Sequence, residues 1–214
     1  MIPKVIYQVS IGLHHDAQPV QYAVSLMRNL NPDYEYKLFT RESELDDFVH
    51  ENYTGDIVEC YDKLNILVAK TDFWRYLYLF KHGGVYLDMD SAIVQPLSRM
   101  IRDEDTAVVT KESILDLYVQ WALVFDKGHP ILERVINLIV DNIKRNAFPN
   151  DIHKMTGPTV FTQAIRETDP TTFREFGRDY NDVFRFSYPG CHLLFQGVKK
   201  WTQLEREMPL LKLS

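Results

Sequence analysis

Residues 70–90 read KTDFWRYLYLFKHGGVYLDMD, and this stretch decides the fold. Its first half lies within residues 63–82, where apolar side chains recur at spacings of three and four, which predicts an α-helix. Gly83 supplies the left-handed conformation in which helices commonly end. Residues 85–87 form an apolar run that predicts a short buried strand and leads directly into Asp88-Met89-Asp90. The stretch thus predicts a helix, a tight turn, a strand and an acidic loop in immediate succession.

Predicted strands and helices alternate outward from this stretch. Further strands are expected at residues 4–11, 34–39, 107–110, 118–125 and 182–186, and helices at 19–30, after an N-cap at Thr40, at 130–148 and at 159–167. Such alternation is typical of an α/β fold, here a central mixed sheet flanked by helices. We expect one domain over residues 1–214, either complete or a fragment of a longer enzyme. Ligands of open α/β sheets bind beyond the carboxyl ends of the strands, where Asp88 and Asp90 lie.

The composition is that of an ordinary soluble globular protein, with 45% hydrophobic and 25% charged residues. A net charge of −6 argues against a nucleic-acid partner, because such proteins usually carry a basic stripe. No apolar run approaches the ~20 residues of a membrane helix, and the start of the chain lacks the pattern of a signal peptide. We therefore expect a cytoplasmic protein of a bacterial or virus-infected host cell, with Cys60 and Cys191 buried as small apolar residues.

Asp88 and Asp90 are the first candidates for a site. In an extended backbone, residues i and i+2 point to the same side, so the two carboxylates face one spot. A cation relieves their mutual repulsion, and carboxylate oxygens suit hard ions such as Mg²⁺ or Mn²⁺. A second acidic triplet, Asp103-Glu104-Asp105, has no apolar strand before it and is expected to be a solvated turn. The pair that follows the strand is therefore the predicted metal site.

Asp72 and Arg75 are spaced i, i+3 and therefore share one face of the predicted helix. One interpretation is a surface ion pair, which contributes ~0–1 kcal/mol. The alternative follows from the large apolar residues around them, which predict a helix that is buried over much of its circumference. A buried charge needs a partner or a ligand, so this alternative favours a functional role. The residues alone leave both interpretations open.

Residues 69–76, Leu79 and residues 82–90 together resemble the donor-site region of family 32 glycosyltransferases. The sugar-transferring domains of large clostridial toxins share this block. Residues 2–8, IPKVIYQ, resemble the first strand of the family, and residues 155–158, MTGP, resemble its later Thr-Gly-Pro element. The chain is also similar to a chlorella-virus glycosyltransferase domain of this size. The resemblance spans most of the chain but is dense only over residues 69–90.

The resemblance implies a GT-A type nucleotide-diphospho-sugar transferase fold, Mn²⁺ or Mg²⁺ as cofactor, and transfer with retention of anomeric configuration. Asp90 would bind the metal directly, while Asp88 would contact the ribose or sugar of the donor and assist the metal through water. Asp72 would accept hydrogen bonds from sugar hydroxyls, and Arg75 would contact the sugar and offset diphosphate charge. A UDP-sugar is the expected donor, although some members of the family use GDP-mannose.

The end of the first strand departs from the toxin pattern. The toxins carry a tryptophan there that stacks on the base, and this chain has Ser10 in that place. Tyr7 either stacks on the base instead or is a core residue, and Gln8 completes the candidate donor-binding residues of this strand. A C-terminal polar residue often completes the metal shell of the family. His192 is the candidate here, although a lone histidine is more often structural.

Three functions remain open at this stage. The leading one is a retaining hexosyltransferase that moves a sugar from a nucleotide-sugar donor to a hydroxyl of a glycan or protein, in glycan or polysaccharide synthesis. The same carboxylates also fit a metal-dependent nucleotide-sugar hydrolase or nucleotidyltransferase. A catalytically dead donor-binding module is the third, and the intact set of Asp72, Arg75, Asp88 and Asp90 argues against it.

Overall fold

A central sheet of six strands forms the middle of the structure, a computed structural model that describes residues 1–113 and 115–212. Its order is β2-β1-β3-β6-β5-β7, and β4 and β8 form a separate antiparallel pair. The strands β2, β1 and β3 are parallel, β6 is antiparallel to β3 and β5, and β7 is parallel to β5. The strands are β1 (Val5–Val9), β2 (Glu35–Phe39), β3 (Gly84–Leu87), β4 (Ser91–Ile93), β5 (Ala107–Lys111), β6 (Ala122–Phe125), β7 (Arg174–Arg178) and β8 (Phe184–Phe186).

Helices cover both faces of this sheet, which confirms the predicted α/β fold with a mixed central sheet. They are α1 (Gln18–Leu30), α2 (Glu42–Asn52), α3 (Asp56–Lys63), α4 (Leu67–His82), α5 (Pro130–Lys144), α6 (Ile152–Met155), α7 (Pro158–Glu167) and α8 (Trp201–Glu207). Within residues 1–113 and 115–212, none of the helices combines the length and apolar character that crossing a bilayer requires.

Two hydrophobic clusters lie on opposite faces of β3. Tyr86 belongs to the cluster that α4 and α5 contribute to, whereas Val85 and Leu87 belong to the cluster on the other side. A strand that is buried on both faces reads as a continuous apolar run, which is why residues 85–87 could be predicted as a strand. Cys60 is buried in the first cluster as expected, but Cys191 is only partly buried.

Two glycines set the path from α4 into β3. Gly83 ends α4 with φ +64°, and Gly84 follows with φ +110°. A Cβ added to Gly84 would lie 2.8 Å from Cε2 of Tyr7 and 2.9 Å from the carbonyl oxygen of Val5. Side chains rarely adopt these φ values, and the neighbouring strand leaves no room for one. The Gly-Gly turn therefore allows β3 to pair closely with β1 and aims the acidic loop at the edge of the sheet.

The prediction of one helix over residues 63–82 is wrong at its start. α3 ends at Lys63, the chain is extended at Leu64 and Ile66, and α4 begins at Leu67. Leu64 is fully buried and forms an isolated bridge with Leu211, so its apolar character serves this connection rather than a helix face. The sequence analysis also missed α3, α6, α8, β4 and β7.

The strand predicted at residues 118–125 is shorter than expected. Only residues 122–125 join the sheet as β6, and Tyr118 forms an isolated bridge with Lys111. Between them, the backbone and side chain of Gln120 turn toward α4 and bond there with Arg75 and Asp72. The amide of Val119 still donates to the carbonyl of Thr110 at 2.9 Å, so the regular pairing is interrupted only around Gln120.

The prediction of a solvated turn at Asp103-Glu104-Asp105 is wrong for its last residue. Asp103 and Glu104 are exposed, but Asp105 is only 5% exposed. Its two carboxylate oxygens accept hydrogen bonds from Arg174 at 2.8 and 2.6 Å. The partner lies on β7, a strand that the sequence analysis did not predict, so the burial of Asp105 could not be anticipated.

Candidate active site

The backbone of the acidic loop is fixed where β3 ends. The amide of Asp88 donates to the carbonyl of Trp121 at 2.8 Å, and the carbonyl of Asp88 accepts from the amide of Ser91 at 3.0 Å. That carbonyl also accepts a hydrogen bond from Nε2 of Gln8 at 3.3 Å, while Oε1 of Gln8 accepts one from the hydroxyl of Tyr36 at 2.9 Å. Gln8, predicted as a donor-binding residue, therefore supports the loop from β1.

A second support comes from the C-terminal part of the chain. The hydroxyl of Tyr188 donates to the carbonyl of Met89, the central residue of the loop, at 2.9 Å. The segment that carries Tyr188 also carries His192, which lies exposed in a short 3₁₀ helix, Cys191–Phe195. The structure thus brings this segment to the acidic loop, and metal ligation by His192 itself stays a prediction.

The carboxylate of Asp88 is held through one of its oxygens. Oδ1 accepts a hydrogen bond from the hydroxyl of Tyr86 at 2.9 Å and lies 3.2 Å from Nη1 of Arg75. The side chain is 29% exposed, so it is the accessible member of the charged group on α4 and β3. The two contacts orient the carboxylate and leave its other oxygen available to a ligand.

Arg75 is buried at the centre of this group. Its guanidinium lies 3.1 Å from Oδ1 of Asp72, donates to the carbonyl of Gln120 at 3.2 Å, and stacks 4.4 Å from the centre of the Tyr86 ring. Burial alone would lower the pKa of Arg75, but the charge of Asp88, followed by smaller contributions from its neighbours, raises it above the usual value. The side chain is therefore charged, 4% exposed, and shared between two carboxylates.

Asp72 is equally buried and has two further partners. Nε2 of Gln120 donates to its Oδ1 at 2.9 Å, and the hydroxyl of Thr156 donates to its Oδ2 at 3.2 Å. Burial raises the pKa of Asp72 to about 6, even though Arg75 and these donors favour the ionised form. Thr156 belongs to the Thr-Gly-Pro element quoted above, which now has a position beside Asp72. Gln120 carried no signal in the sequence, since it was one polar residue in a predicted strand.

Asp90 is the second carboxylate of the loop. Burial and, next, the negative charge of Asp88 raise the pKa of Asp90 to about 6. A divalent cation bound at the loop would offset the unfavourable ionisation of Asp90 beside Asp88, so the oxygen donors present fit Mn²⁺ or Mg²⁺. In residues 1–113 and 115–212, no group of three or more His, Cys, Asp or Glu side chains is arranged to hold a metal. Phosphate and water oxygens are the usual remaining ligands of such an ion.

Tyr7 and Ser10 differ in how they can reach a donor. Tyr7 is 3% exposed and packs edge-to-face on Tyr78, with ring centroids 4.9 Å apart. This placement favours the core role over stacking on a base. Ser10 is 1% exposed, and its buried hydroxyl has no hydrogen-bond partner in the described part of the chain. Both donor contacts stay predictions.

A mixed α/β sheet with a carboxylate pair at the end of a central strand fits the predicted GT-A type fold. Residues 17–108 match the family model described as the glycosyltransferase sugar-binding region containing DXD motif. Asp88-Met89-Asp90 is the D-X-D sequence of this region. Residues 17–108 of the chain therefore resemble this glycosyltransferase family.

Two curated relatives carry mannosyltransferase names. The initiation-specific alpha-1,6-mannosyltransferase of Candida albicans is 26% identical over 203 residues, which cover 77% of this chain and 52% of the relative. The inositol phosphoceramide mannosyltransferase 3 of Schizosaccharomyces pombe is 33% identical over 147 residues, covering 69% of this chain and 38% of the relative. The chain therefore spans about half, or less, of the length of these relatives.

Solved structures of two glycosyltransferases share the fold. The PaToxG glycosyltransferase superimposes with a TM-score of 0.61 and 20% identity, covering 78% of this chain and 69% of its own. The UDP-bound glycosyltransferase domain of the YGT toxin gives a TM-score of 0.56 and 11% identity, with 77% of each chain covered. At these identities the likeness concerns the fold, and it agrees with the predicted GT-A type.

Proposed function

We propose that the chain is a metal-dependent glycosyltransferase that moves a sugar from a nucleotide-sugar donor to a hydroxyl acceptor. The observation that carries the proposal is the continuous array Asp72–Arg75–Asp88, which ends in the accessible carboxylate of the D-X-D loop. The match of residues 17–108 to the glycosyltransferase family model supports the same activity. Neither a hydrolase nor a nucleotidyltransferase is favoured by a particular contact in the site.

Asp90 and Asp88 would hold the divalent ion, either Mn²⁺ or Mg²⁺, with His192 as a candidate third protein ligand. When bound, such an ion stabilises the charge of a diphosphate leaving group. The loop that carries both carboxylates is supported by Gln8 on β1 and by Tyr188. This support holds the backbone of the loop relative to the end of β3, and it would preorganise the two carboxylates for a bound ion.

Arg75 would act on the donor in two ways. It contacts Oδ1 of Asp88, and its positive charge would help to offset the charge of the diphosphate in a setting of low dielectric constant, where charges interact strongly. Asp72 would accept hydrogen bonds from sugar hydroxyls, as the family resemblance implies. Each carboxylate oxygen of Asp72 already accepts a hydrogen bond, one from Gln120 and one from Thr156. A carboxylate oxygen can accept a hydrogen bond from a further donor.

Retention of configuration belongs to the same proposal. The acceptor hydroxyl would attack the anomeric carbon from the face that the diphosphate leaves. The bond from that carbon to the phosphate oxygen breaks, the bond to the acceptor oxygen forms, and the hydroxyl proton passes to the departing phosphate oxygen. Comparison of the anomeric configuration of donor and product by NMR tests this step, and an inverted product would contradict it.

A uridine nucleotide is the predicted donor carrier, and mannose is the first sugar to test. The UDP-bound toxin domain of the same fold supports uridine, and the names of the sequence relatives support mannose. Titration calorimetry with UDP and GDP in the presence of Mn²⁺ should give the lower Kd for UDP. Tighter binding of GDP would contradict the choice of nucleotide without contradicting the activity.

Product analysis by mass spectrometry tests the activity itself. The enzyme is incubated with UDP- and GDP-linked hexoses, a panel of methyl glycosides and Mn²⁺, and with EDTA as the control. A glycosylated acceptor that forms only with the metal supports the proposal. Free sugar alone indicates a hydrolase, a new diphosphate bond indicates a nucleotidyltransferase, and binding without any product indicates a donor-binding module. Each of these three results contradicts the proposal.

A further inference from the structure

An exposed pair of aromatic rings lies beside the acidic loop and has no part in the functions derived above. The rings of Trp121 and Phe186 are 5.5 Å apart between centroids, at an interplanar angle of 47°. Phe186 is 59% exposed, and Trp121 is partly exposed. Large apolar side chains that share an exposed surface patch often mark a binding site. We call these two residues the aromatic pair.

Each ring of the aromatic pair is joined through the backbone to the loop. The carbonyl of Trp121 accepts the hydrogen bond from the amide of Asp88 at 2.8 Å. Phe186 is the register partner of Ser91, the residue that follows Asp90, in the antiparallel pairing of β4 with β8. The backbone positions that carry the two rings are therefore fixed relative to the loop that carries the carboxylates.

The pair lies on the β6 and β8 side of the loop, and the candidate donor-binding residues of β1 lie on the other side. Gln8 reaches the carbonyl of Asp88 from β1, and Ser10 marks the end of that strand. The sheet order places β3 between β1 and β6. A ligand on the aromatic pair would therefore lie on the side of the acidic loop opposite to β1, away from the candidate donor-binding residues.

One ring of the aromatic pair, that of Trp121, packs against the hydrophobic core. Trp121 packs edge-to-face on Tyr180, with ring centroids 6.3 Å apart, and the buried hydroxyl of Tyr180 donates to the carbonyl of Ala122 at 2.9 Å. Rigid aromatic rings lose little conformational entropy when a ligand covers them. A pyranose ring has one face of C–H groups that matches a flat apolar surface, while its hydroxyls remain at the edges for polar contacts.

We propose that Trp121 and Phe186 form the acceptor platform, on which a pyranose ring of a glycan acceptor stacks. The inference rests on the proposed glycosyl transfer and selects a glycan over a protein hydroxyl as the acceptor. It also makes the aromatic pair a specificity determinant, because a ring whose hydroxyls project from the stacked face cannot lie flat on it.

The test uses Phe186→Ala as the main variant and Trp121→Phe as a second, conservative one. The KM for a methyl α-D-mannopyranoside acceptor is measured beside the Kd for UDP with Mn²⁺ and the rate of donor hydrolysis without acceptor. Phe186→Ala should raise the acceptor KM by about five- to tenfold, the effect of losing one aromatic contact. The UDP affinity and the hydrolysis rate should not change. Trp121→Phe should fold and keep most of the acceptor affinity.

Trp201→Ala is the matched control, because Trp201 is also partly exposed but stacks on His153 away from the loop. It should leave the acceptor KM unchanged. An unchanged KM in Phe186→Ala, or an equal loss of UDP affinity that marks the pair as a base-stacking site, would overturn the inference.

A binding measurement separates this inference from the proposed function. Saturation-transfer NMR should show contact between the wild type, with UDP and Mn²⁺, and methyl glycosides of mannose, glucose or galactose, and a weaker effect in Phe186→Ala. Normal nucleotide binding and hydrolysis with no glycoside contact would refute the platform alone. A wild type that binds no nucleotide would refute the proposed function, on which the platform depends.

Discussion

Arg75 connects the buried helix α4 to the accessible edge of the site. At the residue scale, the sequence posed a choice between a surface ion pair and a buried functional charge. The structure places both Asp72 and Arg75 at 4% exposure and joins Arg75 to Asp88 as well. Removing one member of a buried charge group leaves the others uncompensated, so these residues should respond strongly to substitution.

Replacement of Arg75 by lysine tests whether the guanidinium acts in the site. Lysine keeps the charge but lacks the planar fork that reaches Asp72, Asp88 and the carbonyl of Gln120 together. We expect kcat/KM to fall by on the order of 10²–10³, as when one charge-stabilising donor is removed from an active site. The measurement is kcat/KM beside the melting temperature of each variant.

Lys70→Arg provides the matched control on the same helix. Lys70 is 6% exposed and forms ion pairs with Glu42 and Asp46 at 2.7 and 2.8 Å, outside the site. This exchange should leave kcat/KM unchanged whatever it does to the melting temperature. If Arg75→Lys retains wild-type activity, or loses activity only in step with its stability, Arg75 has a structural role.

The residues of the site were predictable to different degrees. The apolar neighbours of Asp72 and Arg75 indicated burial. The extended backbone assumed for residues 88–90 was wrong, because Met89 and Asp90 lie in a turn that the hydrogen bond from the Ser91 amide to the Asp88 carbonyl closes. Gln120 and Thr156 could not be assigned a role, because their contacts with Asp72 span 48 and 84 residues of sequence. Asp105 was misjudged for the same reason, since its partner lies 69 residues away.

At the scale of elements, the turn from α4 into β3 is the feature that positions the site. The sequence predicted the end of α4 correctly, because a Gly-Gly turn and a strand that is buried on both faces are local signals. The predicted start of α4 was wrong, because Leu64 and Ile66 lie in an extended segment and are buried there by tertiary contacts. Apolar periodicity cannot distinguish a residue that is buried on a helix face from one that is buried in an extended segment.

Gly84→Ala tests the close approach of β3 to β1. The new Cβ would lie 2.8 Å from Tyr7, in a backbone conformation with φ +110° that alanine rarely adopts. Overpacking of this kind typically costs about 1–3 kcal/mol, in addition to the backbone strain. At roughly 2–4 °C per kcal/mol for a chain of this size, the melting temperature should fall by several degrees or more.

Gly12→Ala is the control for the backbone strain of a positive φ alone. Gly12 also has a positive φ of +66°, but a Cβ there meets no atom within 4 Å. Its melting temperature should therefore fall clearly less than that of Gly84→Ala. Equal losses in thermal unfolding would show that the contact between the two strands contributes nothing.

His129 makes α5 sensitive to acid. Its Nδ1 accepts the hydrogen bond of the Ile131 amide at the start of the helix, and its Nε2 donates to the carbonyl of Thr172. Burial lowers the pKa of His129 below its ordinary value of about 6.5. The unfolded chain therefore binds the proton first, so the free energy of unfolding should decrease as the pH falls below about 6.5.

The comparison of wild type with His129→Asn at pH 7.5 and 5.5 measures this effect. Asparagine keeps an N-cap acceptor but does not titrate. The loss of melting temperature between the two pH values should be smaller in the variant than in the wild type. A loss of the same size in both proteins would mean that His129 does not contribute to the acid sensitivity.

At the scale of the whole molecule, the sheet order explains how distant segments form one site. The alternation of strands and helices was enough to predict an α/β fold. The order β2-β1-β3-β6-β5-β7 was not predictable, because the antiparallel neighbours of β3 and the pairing of β4 with β8 depend on long-range contacts. That order brings Gln8, Trp121 and Tyr188 to the same loop.

The most direct test of the account is a calorimetric titration of the preferred nucleotide diphosphate, with and without Mn²⁺, into three proteins. They are the wild type, Asp90→Asn, and Asp103→Asn, which changes the exposed acidic turn instead of the loop. We predict tight binding by the wild type and Asp103→Asn only with Mn²⁺, and loss of the metal-dependent binding in Asp90→Asn. Binding that is independent of Mn²⁺, or equal affinity in Asp90→Asn and the wild type, would contradict the claim that the D-X-D loop holds a metal-bound donor.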